Sequence, residues 1–124
     1  MRTVWHTAIL FTVILTAQAH ADASSMGIGV TTCGQFAKAY ADTGGKVEVI
    51  YFAWAQGYMS GRNRTSLLEH GVSRDLQAKS TDSQEAFLRG YCDLHPLLRY
   101  WEAVETLFLE LPSNKPVVAP DKSN

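Results

Sequence analysis

Apolar residues are placed in two ways along this chain. Residues 8–17 (AILFTVILTA) form an unbroken apolar run, whereas later segments space their apolar residues at helical intervals. In residues 46–61 (KVEVIYFAWAQGYMSG), Val47, Ile50, Trp54, Gly57, Tyr58 and Gly61 fall on one stripe at i, i+3, i+4, i+7 spacing. The start of this segment, VEVIYF, is rich in β-branched and aromatic residues and suits a strand on propensity alone. The helical period persists for four turns, so the segment is read as a helix.

Three other helices follow from the same reasoning. Thr31 or Thr32 caps a short first helix through Ala41, with Cys33 in its first turn and Phe36 and Tyr40 one turn apart. Asp42-Thr43-Gly44-Gly45 then turns the chain. Asp82-x-x-Glu85 resembles a capping box and opens a helix carrying Phe87, Leu88, Tyr91 and Cys92. That helix stops near His95, because Pro96 disfavours helical geometry in the residue before it. Pro96 suits the first turn of a last helix, which presents Leu97, Trp101, Val104, Leu107, Phe108 and Leu111 before Pro112 ends it.

The remaining segments lack a pattern. Residues 62–80 are polar with isolated Leu and Val, and read as a long connection with one helical turn at 66–70 ended by Gly71. Connections of that length inside a compact domain usually have a function. Residues 22–30 read as a flexible leader and 112–124 as a disordered tail. The expected fold is all-α: a small four-helix domain over residues 31–111. Its expected core is Ile50, Trp54, Tyr58, Phe87, Leu88, Tyr91, Trp101, Val104, Leu107 and Phe108.

The N-terminus supplies the compartment. Met1-Arg2, the apolar run and Ala19-His20-Ala21 before Asp22 together make a secretory signal peptide over residues 1–21. The run is too short for a membrane span. The expected location is therefore periplasmic or secreted, with no membrane association after cleavage. Removing 21 of 124 residues leaves 103, enough for one modest core. Losing Arg2 takes 11 Lys and Arg to 10 against 12 Asp and Glu, a formal charge of −2, which does not favour nucleic acid.

Cys33 and Cys92 are the two cysteines. In an oxidising compartment an even count argues for a disulfide, and two cysteines allow a single intramolecular pairing. The alternatives are free thiols or an intermolecular bridge. The intramolecular bridge stabilises the domain by roughly 4 kcal/mol in the chain-entropy model.

Catalytic and metal-binding signatures are missing. His70 sits in the polar connection and His95 at a helix junction, where its ring can cap the next helix; neither belongs to a ligand pair. There is no GxSxG, P-loop or dinucleotide-binding glycine pattern. Asp93, Glu102 and Glu105 read as a solvated helical face. The expectation is a non-enzyme without cofactor or metal. Tyr51 and Phe52 exceed what one buried stripe needs, so they either widen the core or mark a partner surface. Gly57 and Gly61 leave a groove for close packing or for a homodimer. Arg62 and Arg64 follow as rim charges, with Tyr58 as an anchor. Asn63-Arg64-Thr65 matches a glycosylation sequon.

Two families resemble these parts. Thr32-Cys33-x-x-Phe36 resembles the first-cysteine motif of the HdeA/HdeB family of periplasmic acid-stress chaperones, which implies a helical fold, one disulfide and unfolded clients as partners. Trp54-x-x-Gly57-Tyr58-x-x-Gly61, with Tyr91-Cys92-x-x-His95-Pro96, resembles the Tai-type immunity family, which implies a secreted toxin enzyme as partner. Members of the second family often carry a cysteine near the GYxxG, where this chain has Trp54 and Ala55. The acid-stress expectation has a physical motive. Protonating all 12 carboxylates and both remaining histidines takes the processed chain from −2 to about +12, enough to loosen a small domain.

Mass spectrometry of the exported protein is expected to show loss of residues 1–21 and no thiol available for labelling. A full-length, thiol-labelled species in the exported pool contradicts both expectations.

Overall fold

A computed structural model describes residues 26–114. The expected signal peptide, leader residues 22–25 and tail residues 115–124 lie outside them. The order is a 3₁₀ turn (Gly27–Val30), α1 (Cys33–Asp42), α2 (Glu48–His70), β1 (Ser73–Arg74), α3 (Thr81–Leu94), α4 (Tyr100–Glu110) and β2 (Ser113–Asn114). The domain is all-α, and its two short antiparallel strands form a clip, with Ser73 opposite Asn114 and Arg74 opposite Ser113.

α1 forms as expected. The Gln35 N–H donates to Thr32 Oγ1 (3.2 Å) and the Thr32 N–H to Gln35 Oε1 (2.8 Å), a reciprocal capping box. Cys33 and Phe36 are buried. Cys33 is bonded to Cys92 of α3, with their Cα atoms 4.6 Å apart across a separation of 59 residues. α3 is capped by Ser80, whose side chain accepts from the Ser83 N–H, two residues ahead of the expected Asp82.

α4 starts at Tyr100, later than the expected Pro96. The carbonyls of residues 96 and 98 face a different task. Pro96 O accepts from the Gly34 N–H (2.9 Å) and Leu98 O from the Cys33 N–H (2.8 Å), satisfying orphan donors at the start of α1. Residues bonded outward in this way cannot also form the first turn of α4. The cap of α4 is not His95 either. The Glu102 carboxylate accepts from the Arg99 N–H at 2.6 Å, while the His95 ring lies 4.5 Å from that of Tyr91.

α2 differs most from expectation, in length and in phase. It spans 23 residues, so residues 62–70 are helix and not connection. Gly71, at φ +66°, ends it, and its N–H returns to Leu67 O. The buried face is Tyr51, Phe52, Ala55 and Met59, not the expected Ile50 stripe. Ile50 is 59% exposed, and Trp54 and Tyr58 flank the core. Tyr51 and Phe52 are therefore core residues at 4% and 5% exposure, which corrects their reading as a partner surface. The two adjacent rings bury more apolar area than Ile50 with two glycines would. Tyr51 packs with Phe36 and Tyr100 at centroid distances of 4.7 and 4.9 Å.

Of the other expected core residues, Leu88, Val104, Leu107 and Phe108 are buried, and Phe87 and Tyr91 are half-buried against the core. Trp101 is half-buried. The end of the expected leader is also structured. Gly29 lies so close under Trp54 that a Cβ there would fall 2.1 Å from the indole. The Trp54 Nε1–H donates to Met26 O at 3.2 Å.

The phase of α2 predicts opposite outcomes at two apolar residues. Leu107→Ala is expected to cost about 2–5 kcal/mol in urea unfolding, and Ile50→Ala less than about 0.5 kcal/mol. A large loss at Ile50 contradicts the observed phase.

Candidate functional site

The seven expected partner-binding residues separate into three environments. Tyr51 and Phe52 are internal. Gly57, Gly61 and Arg64 lie on the solvent side of α2, and a Cβ built on either glycine meets nothing within 4 Å. Their spacing places them on one face with Ile50, Ala53 and Leu68, and Ile50 and Leu68 are 59% and 70% exposed. This face runs about 27 Å along the helix at 1.5 Å per residue. No described residue packs against the helix at either glycine.

Tyr58 and Arg62 form the third group, which sequence reasoning did not connect to its partner. Both converge on Glu105 of α4. Tyr58 Oη donates to Glu105 Oε2 at 2.9 Å. Arg62 donates through Nε to Oε2 (3.1 Å) and through Nη2 to Oε1 (2.6 Å), a two-pronged contact suited to guanidinium and carboxylate. The Tyr58 ring stacks on Trp54 at 5.3 Å. Helical spacing gives the reason for the convergence: positions 54, 58 and 62 form one row on the flank of α2, facing α4.

Burial by itself raises the Glu105 carboxyl. The hydrogen bonds from Arg62 and Tyr58, with the charges of Arg62 and Arg74, outweigh burial and hold it below the usual carboxylate range. Burial, and then the neighbouring carboxylate, push the Tyr58 phenol up to about 12, so it stays a donor at physiological pH. The Glu105 hydrogen bond raises Arg62 further.

Asn63 and Arg74 make a second junction beside the first. The Asn63 side chain donates to Arg74 O (2.8 Å) and accepts from the Arg74 N–H (2.6 Å). It pairs with the backbone as a neighbouring strand would, on the edge of β1 opposite β2. Both ends of the amide are committed and half-buried, which disfavours the sequon as a glycan site. Arg74 Nη1 donates to Leu109 O (2.8 Å) and Leu111 O (2.6 Å), closing the last turn of α4. No short-range pattern announces the contacts of these two junctions, which span 11 to 47 residues.

Among the described residues no group of three His, Cys, Asp or Glu side chains is placed to hold a metal ion, and no helix is long and apolar enough to cross a membrane. His70 is exposed at the end of α2 and His95 is exposed beside Tyr91. Comparison with protein-family models, with curated proteins and with solved structures finds no match to this chain. The structure defines a class on its own terms: a small, disulfide-bridged helical domain with one long helix open along its outer side.

Glu105→Gln is expected to destabilise the domain by about 1–2 kcal/mol at pH 7. That is the lower part of the range for charge-assisted hydrogen bonds, because Arg62 is 45% exposed. The folded-state pKa is lowered, so the contribution is complete above the ordinary carboxylate value and disappears as pH falls through the folded one. The gap between the unfolding midpoints of variant and parent should narrow as pH falls below the ordinary carboxylate value of about 4.3 and close once pH is below the folded one. A gap that persists there contradicts the assignment.

Proposed function

We propose that this chain is an exported, non-enzymatic protein-binding domain of the HdeA-like kind, acting in acid stress. One observation carries the reading. Among the described residues, three ion pairs tie different elements together: Arg62–Glu105, Lys79–Glu110 and Arg89–Glu48. Each depends on a glutamate. Strong acid neutralises carboxylates, while the Cys33–Cys92 bridge does not titrate.

Glu85 acts in the opposite direction. Burial first, and then the Glu48 charge, raise its carboxyl, so its protonation favours the folded state. Three released clamps outweigh one relieved carboxylate, and the remaining positive charge pushes the elements apart. Loosening of α2 from α4 uncovers Trp54, Tyr58 and Phe108, an aromatic surface suited to unfolded chains. The oxidised protein is expected to suppress aggregation of an acid-labile client at about pH 2–3 and not at pH 7. Reduction should abolish that protection. No suppression at stoichiometric excess removes the chaperone reading.

A second reading, an immunity-type inhibitor of an exported enzyme, is favoured by the outer face of α2, already open when the carboxylates are charged. It requires one enzyme held in a 1:1 complex at pH 7 and blocked there. Arg64→Glu is the suitable disruptor, because Arg64 is exposed and unclamped, whereas changing Arg62 would also break the Glu105 junction. An empty capture experiment at pH 7 together with acid-dependent binding to many proteins excludes this reading.

A further inference from the structure

A cleft of about 210 Å³ opens between the C-terminal half of α2 and the end of α4, with Arg62, Thr65, Ser66, Arg74 and Phe108 in its wall. Its size is informative. Small-molecule sites run from about 300 to 1,000 Å³, so this space fits a single side chain better than a cofactor.

Its donors are held in place beforehand. The Arg62 and Arg74 guanidinium groups both lie over the Phe108 ring, with their central carbons 5.6 and 5.4 Å from its centroid. Arg62 commits Nε and Nη2 to Glu105, and Arg74 commits Nη1 to two α4 carbonyls. Arg62 Nη1 and Arg74 Nε and Nη2 therefore keep N–H groups with no acceptor among the described residues. Glu105 balances the charge of Arg62, but no described carboxylate is within ion-pair distance of Arg74. Asn63 fixes the Arg74 backbone from the other side. The ordering entropy of these long side chains is already spent in folding, which favours binding.

We propose that this cleft takes a carboxylate side chain of a partner protein, an Asp or Glu flanked by apolar residues. A planar carboxylate matches two guanidinium forks, and exposed Leu109 at the rim offers an apolar contact to its neighbours. Glu69 lines the mouth, 62% exposed and 3.7 Å from His70, and its solvated charge selects against a run of acidic residues. The inference rests on the protein-binding reading, in its neutral-pH form.

The test is an NMR titration of the folded, oxidised protein at pH 7 with three probes: acetyl-Leu-Glu-Leu-amide, its Gln counterpart and inorganic phosphate. The Glu peptide should shift the Arg74 Nε–Hε signal saturably, with the Gln peptide about tenfold weaker or worse, as expected for loss of a charge-assisted pair. Leu109→Asp, at an exposed rim position that leaves folding intact, should abolish the shift. An unmoved Arg74, or equal response to the Gln peptide, overturns the proposal. A response to phosphate as strong as to the Glu peptide also overturns it, by assigning the cleft to free oxyanions. Failure of every partner-capture experiment while Arg74 answers the Glu peptide would remove the protein-binding reading and leave the carboxylate cleft standing. Capture by the α2 face with Arg74 silent would do the reverse.

Discussion

Glu105 accepts three hydrogen bonds from α2, two from Arg62 and one from Tyr58, and the organisation of the far end of the domain depends on them. They hold the flank of α2 against α4. Phe108 then lies under both Arg62 and Arg74, and Arg74 closes the last turn of α4 and carries β1. A charged carboxylate thus supports the helix pair directly, and beside it Arg74 and Asn63 hold the helix terminus and the strand clip. Half-burial makes that support stronger than a surface pair and also sensitive to protonation.

The opposite end of the domain is held by different physics. There the Cys33–Cys92 bridge joins α1 to α3, and the carbonyls of Pro96 and Leu98 cap α1. Neither device titrates between neutral and strongly acid pH. The Glu105 end depends on an ion pair; the bridged end carries one as well, Arg89–Glu48, but holds a covalent bond and the α1 caps besides. Acid therefore acts on the molecule unevenly, which is the physical basis for assigning a pH-dependent role to the α2–α4 junction.

Much of the α1 end was legible in the residues. Thr32 before Cys33, an even cysteine count and Pro96 after a helix are local signals, and each has one dominant physical meaning. The phase of α2 was not legible, because Tyr51 and Phe52 compete with Ile50 and Trp54 for the core. Which pair wins depends on the rings of Phe36 and Tyr100, far away in sequence. Residues 62–70 looked like a connection for a related reason. Their inward contacts are polar, through Arg62 and Asn63, so no apolar stripe marks them as helix. The partner face was half legible: Gly57, Gly61 and Arg64 are on the open side, but Arg62 and Tyr58 face inward, toward a glutamate whose role no spacing revealed.

Amide hydrogen exchange of the oxidised protein, compared between pH 7 and pH 3 after correction for intrinsic rates, tests the uneven response most directly. Amides of residues 58–70 should lose protection at the lower pH while those of α1 and α3 around Cys33 and Cys92 keep theirs. Uniform loss, or loss beginning in α1 and α3, would contradict the assignment of the Glu105 junction as the acid-sensitive part of the fold.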